Sequence, residues 1–304
     1  MSPRATGIGL AFVTAVVSGV SIYVNGHAVK HFGDATAYTT AKNGVAGLLL
    51  LSLLLVPWSR PIGDSPSSGP RGRRDWLALL VVAVIGGSIP FVLFFEGLAR
   101  AEATQASYIQ KTLVVWVSLL AVPLLRERFR WPHAVAIALL LAGQAVLLGS
   151  AGTVGFGEGE AMIFAATLLW AGEVVFVKWM LPTLSVRVLA AARMGIGTFL
   201  LVCWLAVTGR LSDVTAFGAQ EWQWVVITGL LLTAYVATWY AALAFAQAID
   251  VTAVLTFGAV VTALLSGAAD AVHVNLAGVG LIALGTLLVA TMPRWRRRAV
   301  EPAQ

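Results

Sequence analysis

The feature that most constrains this chain is a succession of apolar runs, each long enough to cross a lipid bilayer. A membrane-spanning helix needs about 20 apolar residues, and hydropathy predicts ten such spans within 304 residues. The composition disfavours a soluble domain: 59% of the residues are apolar and 11% are charged, against roughly 25% charged in soluble proteins. The predicted spans are 7–26, 34–56, 76–99, 103–125, 132–150, 159–180, 184–208, 221–247, 251–270 and 275–292.

Little of the chain is left outside these spans. Short connections at 100–102 and 249–250 predict tight turns, and one long loop, 59–74, is rich in Pro, Ser, Gly and Arg. The sequence has no Gly-rich phosphate loop followed by Lys and Ser or Thr, so ATP-driven chemistry is not expected. A single cysteine, Cys203, excludes an intramolecular disulfide, and the four histidines are scattered. We therefore expect no metal, no cofactor and no enzymatic activity.

The basic residues predict the orientation of the chain. The formal net charge of +6 indicates membrane topology rather than nucleic-acid binding, because Lys and Arg flank the apolar runs. With the N-terminus inside, 14 basic residues fall on the inner side and only Lys30, Arg100 and Arg210 on the outer side. This predicts a multi-pass protein of the cytoplasmic (inner) membrane with both termini cytoplasmic and the first span retained. The inner residues are Arg4, Arg60, Arg71, Arg73, Arg74, Arg126, Arg128, Arg130, Lys178, Arg187, Arg294, Arg296, Arg297 and Arg298.

The two halves of the chain resemble each other, and each contains five predicted spans. Five is odd, so a repeated five-helix unit enters the membrane in the opposite sense the second time. We predict an all-α integral membrane protein of ten transmembrane helices in two inverted five-helix repeats. The matching segments are 75–76 with 221–222, 94–99 with 239–244, and 41–44 with 192–195. The predicted units are 1–150, a Gly-rich connector 151–158, 159–293, and a basic cytoplasmic tail 294–304.

Inverted repeats recur in secondary transporters, with a binding site near the midplane between the repeats. Ionisable side chains within a bilayer are costly and mark function by default. Two candidates, Lys42 and Arg193, occupy matching positions in the two halves, roughly 12 and 14 Å from the nearer span end. The five ionisable residues predicted to lie inside spans are Lys42, Glu96, Lys111, Glu173 and Arg193.

Two interpretations of these charges stay open. In the structural one, Glu96 pairs with Lys111 and Glu173 pairs with Arg193, which leaves Lys42 without an evident partner. In the functional one, the excess positive charge within the membrane favours a substrate carboxylate or phosphate. The predicted substrate-binding residues are Lys42, Asn43, Lys111, Arg193, Tyr108, Trp239 and Tyr240. Glu96 and Glu173 are predicted to couple or gate transport, because a buried carboxyl can exchange a proton near neutral pH.

Several motifs resemble those of a known family. The segments 107–112, 116–121 and 125–128 are similar to the fourth helix of an EamA-like domain, which closes with an acidic residue beside a basic one. Gly143 in the fifth span and the segment 168–171 fit the same pattern. Over 7–292 the chain thus resembles tandem EamA-like proteins of the drug/metabolite transporter superfamily.

The resemblance implies movement of small metabolites, often amino acids or related compounds, by alternating access without ATP. The chain departs from the pattern at Val114, where a proline is common. It also departs at Asp270, near which the second acidic closing motif would stand, so that end is expected to be gated differently.

The function favoured by these features is secondary transport of a small molecule across the lipid bilayer, with the proton as a candidate coupling ion. A channel or lipid-flipping protein is the alternative, and an intramembrane enzyme is disfavoured by the absence of clustered histidines or paired acids. Substrate identity, the direction of flux, the coupling ion and the oligomeric state stay open.

Overall fold

The architecture is that of a computed structural model, which describes residues 2–55, 69–149, 156–271 and 273–292. Most of the predicted long loop, most of the Gly-rich connector and the basic tail lie outside the described residues. The same holds for five of the inner basic residues counted for orientation, namely Arg60, Arg294, Arg296, Arg297 and Arg298.

The described residues are helical, with no strand among them. Fourteen α-helices follow one another along the chain. The first seven are α1 (Pro3–Ala28), α2 (Ala35–Leu55), α3 (Arg73–Val82), α4 (Ile89–Arg100), α5 (Ala103–Lys111), α6 (Leu113–Leu125) and α7 (Trp131–Gly149). The second seven are α8 (Glu158–Met180), α9 (Val186–Val207), α10 (Leu211–Thr215), α11 (Ala219–Phe245), α12 (Ala248–Leu255), α13 (Gly258–Ala269) and α14 (Leu276–Thr291).

Among the described residues, eight helical segments are long and apolar enough to cross a membrane, and two further apolar helices are shorter. The shorter helices, Trp131–Leu147 and Leu276–Thr291, fall where the fifth and tenth spans were predicted. The chain is therefore an all-helical protein with the composition and helix lengths of a multi-pass membrane protein.

Three spans predicted as continuous helices are interrupted. Between α3 and α4 the chain forms a π-helix, Ala83–Ser88, which contains Gly86-Gly87. The fourth span breaks at Thr112 and the ninth at Thr256-Phe257. Hydropathy misses these interruptions because it scores the preference of side chains for an apolar environment. It carries no information on the register of backbone hydrogen bonds.

The turn between the eighth and ninth spans lies earlier than predicted. α11 ends at Phe245, and Ala246 and Gln247 take extended conformations before α12. Asp250 therefore lies within the first turn of α12 and not in the connection. An acidic residue near a helix start is favoured by the helix dipole. A single acidic residue in an apolar sequence is therefore compatible with the first turn of a helix as well as with a loop, and here it lies in the helix.

Helices from the two halves pack in reciprocal pairs. α1 packs against α11, and α8 packs against α4. In the same way α6 packs against α8 and α13 against α1, while α2 meets α9 and α7 meets α14. The core thus lies between the halves, and little of it belongs to either half alone.

Glycines allow the closest of these contacts. A Cβ built on Gly143 of α7 would lie 2.8 Å from the Gly278 carbonyl oxygen of α14, and one on Gly278 would lie 2.7 Å from that of Gly143. Two turns further along α14, a Cβ on Gly285 would lie 2.9 Å from the Ala136 carbonyl oxygen of α7. Small residues let membrane helices approach backbone to backbone and gain van der Waals contact.

Candidate functional site

A cavity of about 60 Å³ lies between the two halves of the chain. Lys42 reaches it from α2, and Glu173 and Arg193 reach it from α8 and α9. The rest of its wall is mainly aromatic and aliphatic, with four neutral polar side chains. The aromatic residues are Phe91, Phe94, Phe95, Trp170, Tyr235 and Trp239, and the neutral polar ones are Ser18, Ser21, Asn25 and Gln110.

Arg193 and Glu173 form the internal pair expected from the sequence. A terminal guanidinium nitrogen, Nη1 of Arg193, lies 3.9 Å from Oε1 of Glu173, and both side chains are at most 4% exposed. Tyr240 of α11 donates its hydroxyl to the same carboxylate oxygen. The pair is loose, since a charge-assisted hydrogen bond is usually 2.7–2.9 Å long.

The π-helix supplies a backbone acceptor to this pair. The Gly86 carbonyl oxygen accepts from Nε of Arg193 at 3.1 Å and from the Trp170 indole nitrogen at 3.1 Å. A π-helix changes the register of backbone hydrogen bonds, and such segments are frequent at functional sites. Nε of Arg193 is thus satisfied by Gly86, whereas Nη1 of the same side chain is buried without a hydrogen-bond partner in the described structure.

Lys42 is surrounded by aromatic rings. Its Nζ lies 3.8 Å from the centroid of Phe95, 5.2 Å from that of Phe91 and 5.9 Å from that of Tyr38. The side chain is 2% exposed, and within the described residues it has no ion pair. Cation–π contacts offset part of the cost of burying an ammonium group, but they provide no counter-charge.

The predicted pair of Glu96 with Lys111 is wrong. Lys111 donates to Ser18 at 2.8 Å and to Gln110 at 2.9 Å, just behind the cavity wall. Glu96 instead pairs with Arg100 at 2.7 Å and accepts from the Thr36 hydroxyl at 2.7 Å. The two residues lie at different depths, because Glu96 is in the last turns of α4 and Lys111 is at the far end of α5.

Three other predicted site residues also lie away from the central cavity. Asn43 is buried, and both its amide atoms lack hydrogen-bond partners in the described structure. Tyr108 lines a separate cavity of about 20 Å³. Tyr240 contacts Glu173 from behind and is not part of the wall. Of the predicted substrate-binding residues, Lys42, Arg193 and Trp239 line the cavity.

A wider polar groove of about 720 Å³ lies at the end of the bundle where α1 finishes, and Glu96 lines it. Asp34 accepts from the backbone N–H groups of Thr36 and Ala37 and pairs with Arg210. Although burial raises the pKa of Asp34, the Arg210 guanidinium and the two N–H groups hold it below its ordinary value. At pH values above the ordinary pKa of an aspartate, the charged Asp34 therefore stabilises the folded protein at this end of the bundle. That stabilisation is lost as the pH falls through the lowered pKa of Asp34.

A second polar network lies at the opposite end, where α1 begins. Asp250 accepts from Arg4 at 3.0 Å and lies 3.2 Å from Nε2 of His133. Asp250 was not among the predicted site residues, because the apolar pattern placed it in a turn. The available signal was an acidic residue followed by an almost wholly apolar segment, which predicts a buried partner.

Glu127 caps α12 within the same network. Its carboxylate accepts from the N–H groups of Ala248 at 2.7 Å and Ile249 at 3.1 Å, and Lys178 donates to the Ala246 carbonyl at 2.7 Å. Burial raises the pKa of Glu127 above its ordinary value, although the two N–H groups and Lys178 favour its charged form. The connection after α6 is thereby fastened to the start of α12.

Replacing Glu127 by alanine should lower the free energy of unfolding by about 1–2 kcal/mol, because two helix-end donors lose their acceptor. Unfolding of the detergent-purified protein measures this. Glu102→Ala is the matched control: Glu102 stands at the N-cap of α5 without a side-chain cap bond. Equal losses in the two variants would contradict the capping role.

Comparison with known proteins agrees with this architecture. The family model described as "EamA-like transporter family" matches twice, over residues 5–149 and 157–291. A solved crystal structure is similar over 91% of this chain and 98% of its own, with a TM-score of 0.71 and 17% identity, which indicates a shared fold.

Curated relatives are named as transporters. An uncharacterized transporter of Synechocystis is 27% identical over 53% of this chain and 48% of its own length. The uncharacterized inner membrane transporter YicL of Salmonella typhimurium is 28% identical over 62% and 59%. One from Archaeoglobus fulgidus is 29% identical over 67% and 70%. The match thus spans about half the length of the first of these relatives. Because the family model matches most of the chain in two tandem copies, the protein is a multi-pass membrane protein that belongs to the EamA-like transporter family.

Proposed function

We propose that this protein is a secondary transporter that moves a small metabolite, an amino acid or a related carboxylate, by alternating access without ATP. The observation that carries the proposal is the central cavity, whose charged residues come from both family-matched segments. Lys42 belongs to the first segment, and Glu173 and Arg193 belong to the second. A site shared by two halves changes its accessibility when the halves move relative to each other.

We also propose that the ten predicted helices form two inverted five-helix repeats, within 1–150 and 159–293. The reciprocal helix pairs support this, and so do the breaks at Thr112 and at Thr256-Phe257 in corresponding spans. Arg126 after α6 and Ala271 after α13 have nearly equal positive φ angles, 53° and 54°. A left-handed residue thus follows each of these two helices within two residues of its end.

Alternating access is supported by the size of the cavity. A buried water needs roughly 10–15 Å³ of such space, so a cavity of about 60 Å³ holds a few waters and no metabolite. Substrate entry therefore requires the halves to separate at one end. The Asp250 and Glu127 contacts close the end where α1 begins, and the wide polar groove lies at the other.

We retain Lys42, Arg193 and Trp239 as substrate contacts. Lys111 and Tyr240 lie one layer behind and would position the groups in front of them. Asn43 and Tyr108 would reach substrate only after helix movement, and Glu96 would act at the rim of the polar groove.

Replacing Lys42 by alanine should raise the substrate concentration needed for half-maximal uptake about 10- to 100-fold, because one charge-assisted contact is lost. Proteoliposome uptake measures this. Lys30→Ala removes an exposed lysine near the end of α1 and should leave uptake unchanged. Saturable uptake at the wild-type level in Lys42→Ala would remove Lys42 from the site.

We propose Glu173 as the proton-coupling residue, since among the described residues it is the one carboxylate that lines the central cavity. Glu173→Gln should keep substrate exchange but weaken the dependence of uptake on an imposed pH gradient. Glu158→Gln makes the same change at an exposed position on the same helix and should preserve that dependence. Unaltered gradient dependence in Glu173→Gln would exclude this role.

We propose the cytoplasmic membrane as the location, with both termini cytoplasmic; a relative is named an inner membrane transporter. In a Cys203→Ser background, cysteines introduced at Ser2 and Gln304 should react with an impermeant reagent from the same face. Reaction from opposite faces would contradict the ten-helix arrangement.

The decisive test of function is flux through the purified protein. Growth of a strain hypersensitive to exogenous metabolites, with and without the transporter, identifies a transported compound. Saturable, counterflow-competent uptake of that compound into proteoliposomes is expected. Flux that does not saturate would instead indicate a channel, and lipid movement without solute flux would indicate a lipid-flipping protein.

A further inference from the structure

The charged groups that line the central cavity do not balance. Two cations, Lys42 and Arg193, face it with one anion, Glu173. Glu173 already has two partners, because Tyr240 donates to it and Arg193 lies 3.9 Å away. The ammonium of Lys42 lies over aromatic rings and has no ion pair among the described residues. The cavity therefore has one basic side chain for which the described residues provide no counter-ion.

An unused hydrogen-bond donor also indicates that the cavity would accept an anion. Nη1 of Arg193 is buried without an acceptor in the described structure, although Nε of the same side chain is satisfied by Gly86. A buried unpaired donor on a charged group costs more than a neutral one. An anionic oxygen placed in the cavity would provide both the missing acceptor and the missing charge.

A positively charged group on a ligand would find no equivalent place. The neutral acceptors of the wall are largely committed: Ser18 and Gln110 accept from Lys111, and the Asn25 oxygen accepts from Tyr38. The remaining anion, Glu173, would have to leave Arg193 to bind an ammonium group. That exchange would leave Arg193 a buried charge without a partner, which is strongly destabilising.

The remainder of the wall fits an apolar body. Phe91 and Trp170 meet edge to face at 5.5 Å between ring centroids, and Tyr235 stacks on Trp239 at 6.0 Å. Apolar walls with a few placed polar groups are typical of small-molecule sites, in which the polar groups set orientation and specificity. Once the halves separate and the cavity widens, these apolar walls would contact an uncharged ring or chain, while Lys42 and Arg193 mark where its acidic group would lie.

We propose that the cavity selects organic monoanions, with an apolar body and a single carboxylate bound between Lys42 and Arg193, over zwitterions of the same shape. This inference rests on the proposed transport function and narrows its substrate class. An α-amino acid presents an ammonium group beside its carboxylate, so it meets the excess positive charge of the site with no net charge of its own.

Three compounds of similar shape and different charge test the selection. At pH 7.5, 3-phenylpropanoate is an anion, phenylalanine is a zwitterion and 2-phenylethylamine is a cation. Calorimetric titration of the detergent-purified, full-length protein should give at least about tenfold tighter binding of 3-phenylpropanoate than of phenylalanine, and the weakest binding for 2-phenylethylamine. Tighter binding of phenylalanine, equal binding of all three, or binding of none would overturn the proposal.

A variant identifies the group responsible. Lys42→Met removes the ammonium group and keeps an unbranched side chain of similar length. It should reduce the preference for 3-phenylpropanoate over phenylalanine to about threefold or less. Lys30→Met is the matched control and should keep the full preference. Thermal unfolding of both variants reports whether they fold, and the wild-type titrations test the selection even if Lys42→Met does not.

The result is separable from the test of transport. Saturable counterflow of a zwitterion, with tighter binding of phenylalanine than of 3-phenylpropanoate, would leave the carrier function intact and overturn the monoanion selectivity alone. Flux that does not saturate for any compound would overturn the carrier function itself.

Discussion

Replacing Arg193 by methionine should lower the free energy of unfolding by about 3–5 kcal/mol, the cost of leaving one partner of a buried ion pair alone. Glu173 would keep only the Tyr240 hydroxyl and would remain a charge inside the bundle. The Gly86 carbonyl oxygen would also lose one of its two donors. Denaturant unfolding of the protein in detergent micelles, followed by circular dichroism, measures the loss.

The double variant separates the charge effect from lost packing. Adding Glu173→Gln to Arg193→Met removes the isolated charge, so at least about 1–2 kcal/mol of the lost stability should return. Adding Glu158→Gln, an exposed change on the same helix, should restore nothing. If the two double variants were equally stable, the loss would come from packing and the pair would not be an electrostatic unit.

Replacing Gly197 by alanine should destabilise the protein by about 1–3 kcal/mol, as overpacking does in a close-packed interior. A Cβ on Gly197 of α9 would lie 2.7 Å from the backbone carbonyl carbon and oxygen of Gly87 in the π-helix. Backbone atoms cannot rotate away as a side chain can, so α9 and the π-helix would have to separate. Arg193 lies one turn away, and its bond to Gly86 would lengthen.

The matched control changes the same residue type where there is room. A Cβ on Gly172 of α8 would meet nothing within 4 Å. Gly172→Ala should therefore leave stability unchanged or raise it by up to about 1 kcal/mol, the helix-propensity difference between glycine and alanine. In the same unfolding assay we expect a loss of stability in Gly197→Ala and no loss in Gly172→Ala. A loss of equal size in both would show that close approach at Gly197 is not the cause.

Some features of the site could be read from the sequence because they depend on depth along a span. Lys42 and Arg193 were predicted as substrate-binding residues and Glu173 as a coupling or gating residue, and these three line the central cavity, whereas the predicted Asn43 and Lys111 do not. Each of the three is a charge far from a span end, and the energetic cost of such a charge in lipid is a one-dimensional property. The Glu173–Arg193 pair followed from their similar depth.

Other expectations failed because they depend on the direction in which a side chain points. The predicted Glu96–Lys111 pair assumed that a tight turn brings both residues together, yet Lys111 contacts Ser18 of α1. Asn43 directly follows Lys42 but lies outside the cavity wall, since successive helix residues point about 100° apart. Asp250 joins Arg4 and His133 from distant parts of the chain, and no local pattern predicts such a contact.

The sequence by itself determined that this chain is helical and membrane-spanning, since apolar runs of this length have no other stable environment. Its internal similarity and motifs determined the division into two related segments and the family. Only the tertiary structure decided which charges are paired, that Gly86 holds Arg193, and that Lys42 faces the cavity with no counter-charge from the part of the chain that is described. The physical reason is that hydropathy records how much apolar surface each helix offers, whereas pairing depends on how every helix is rotated about its axis and how closely its neighbours approach.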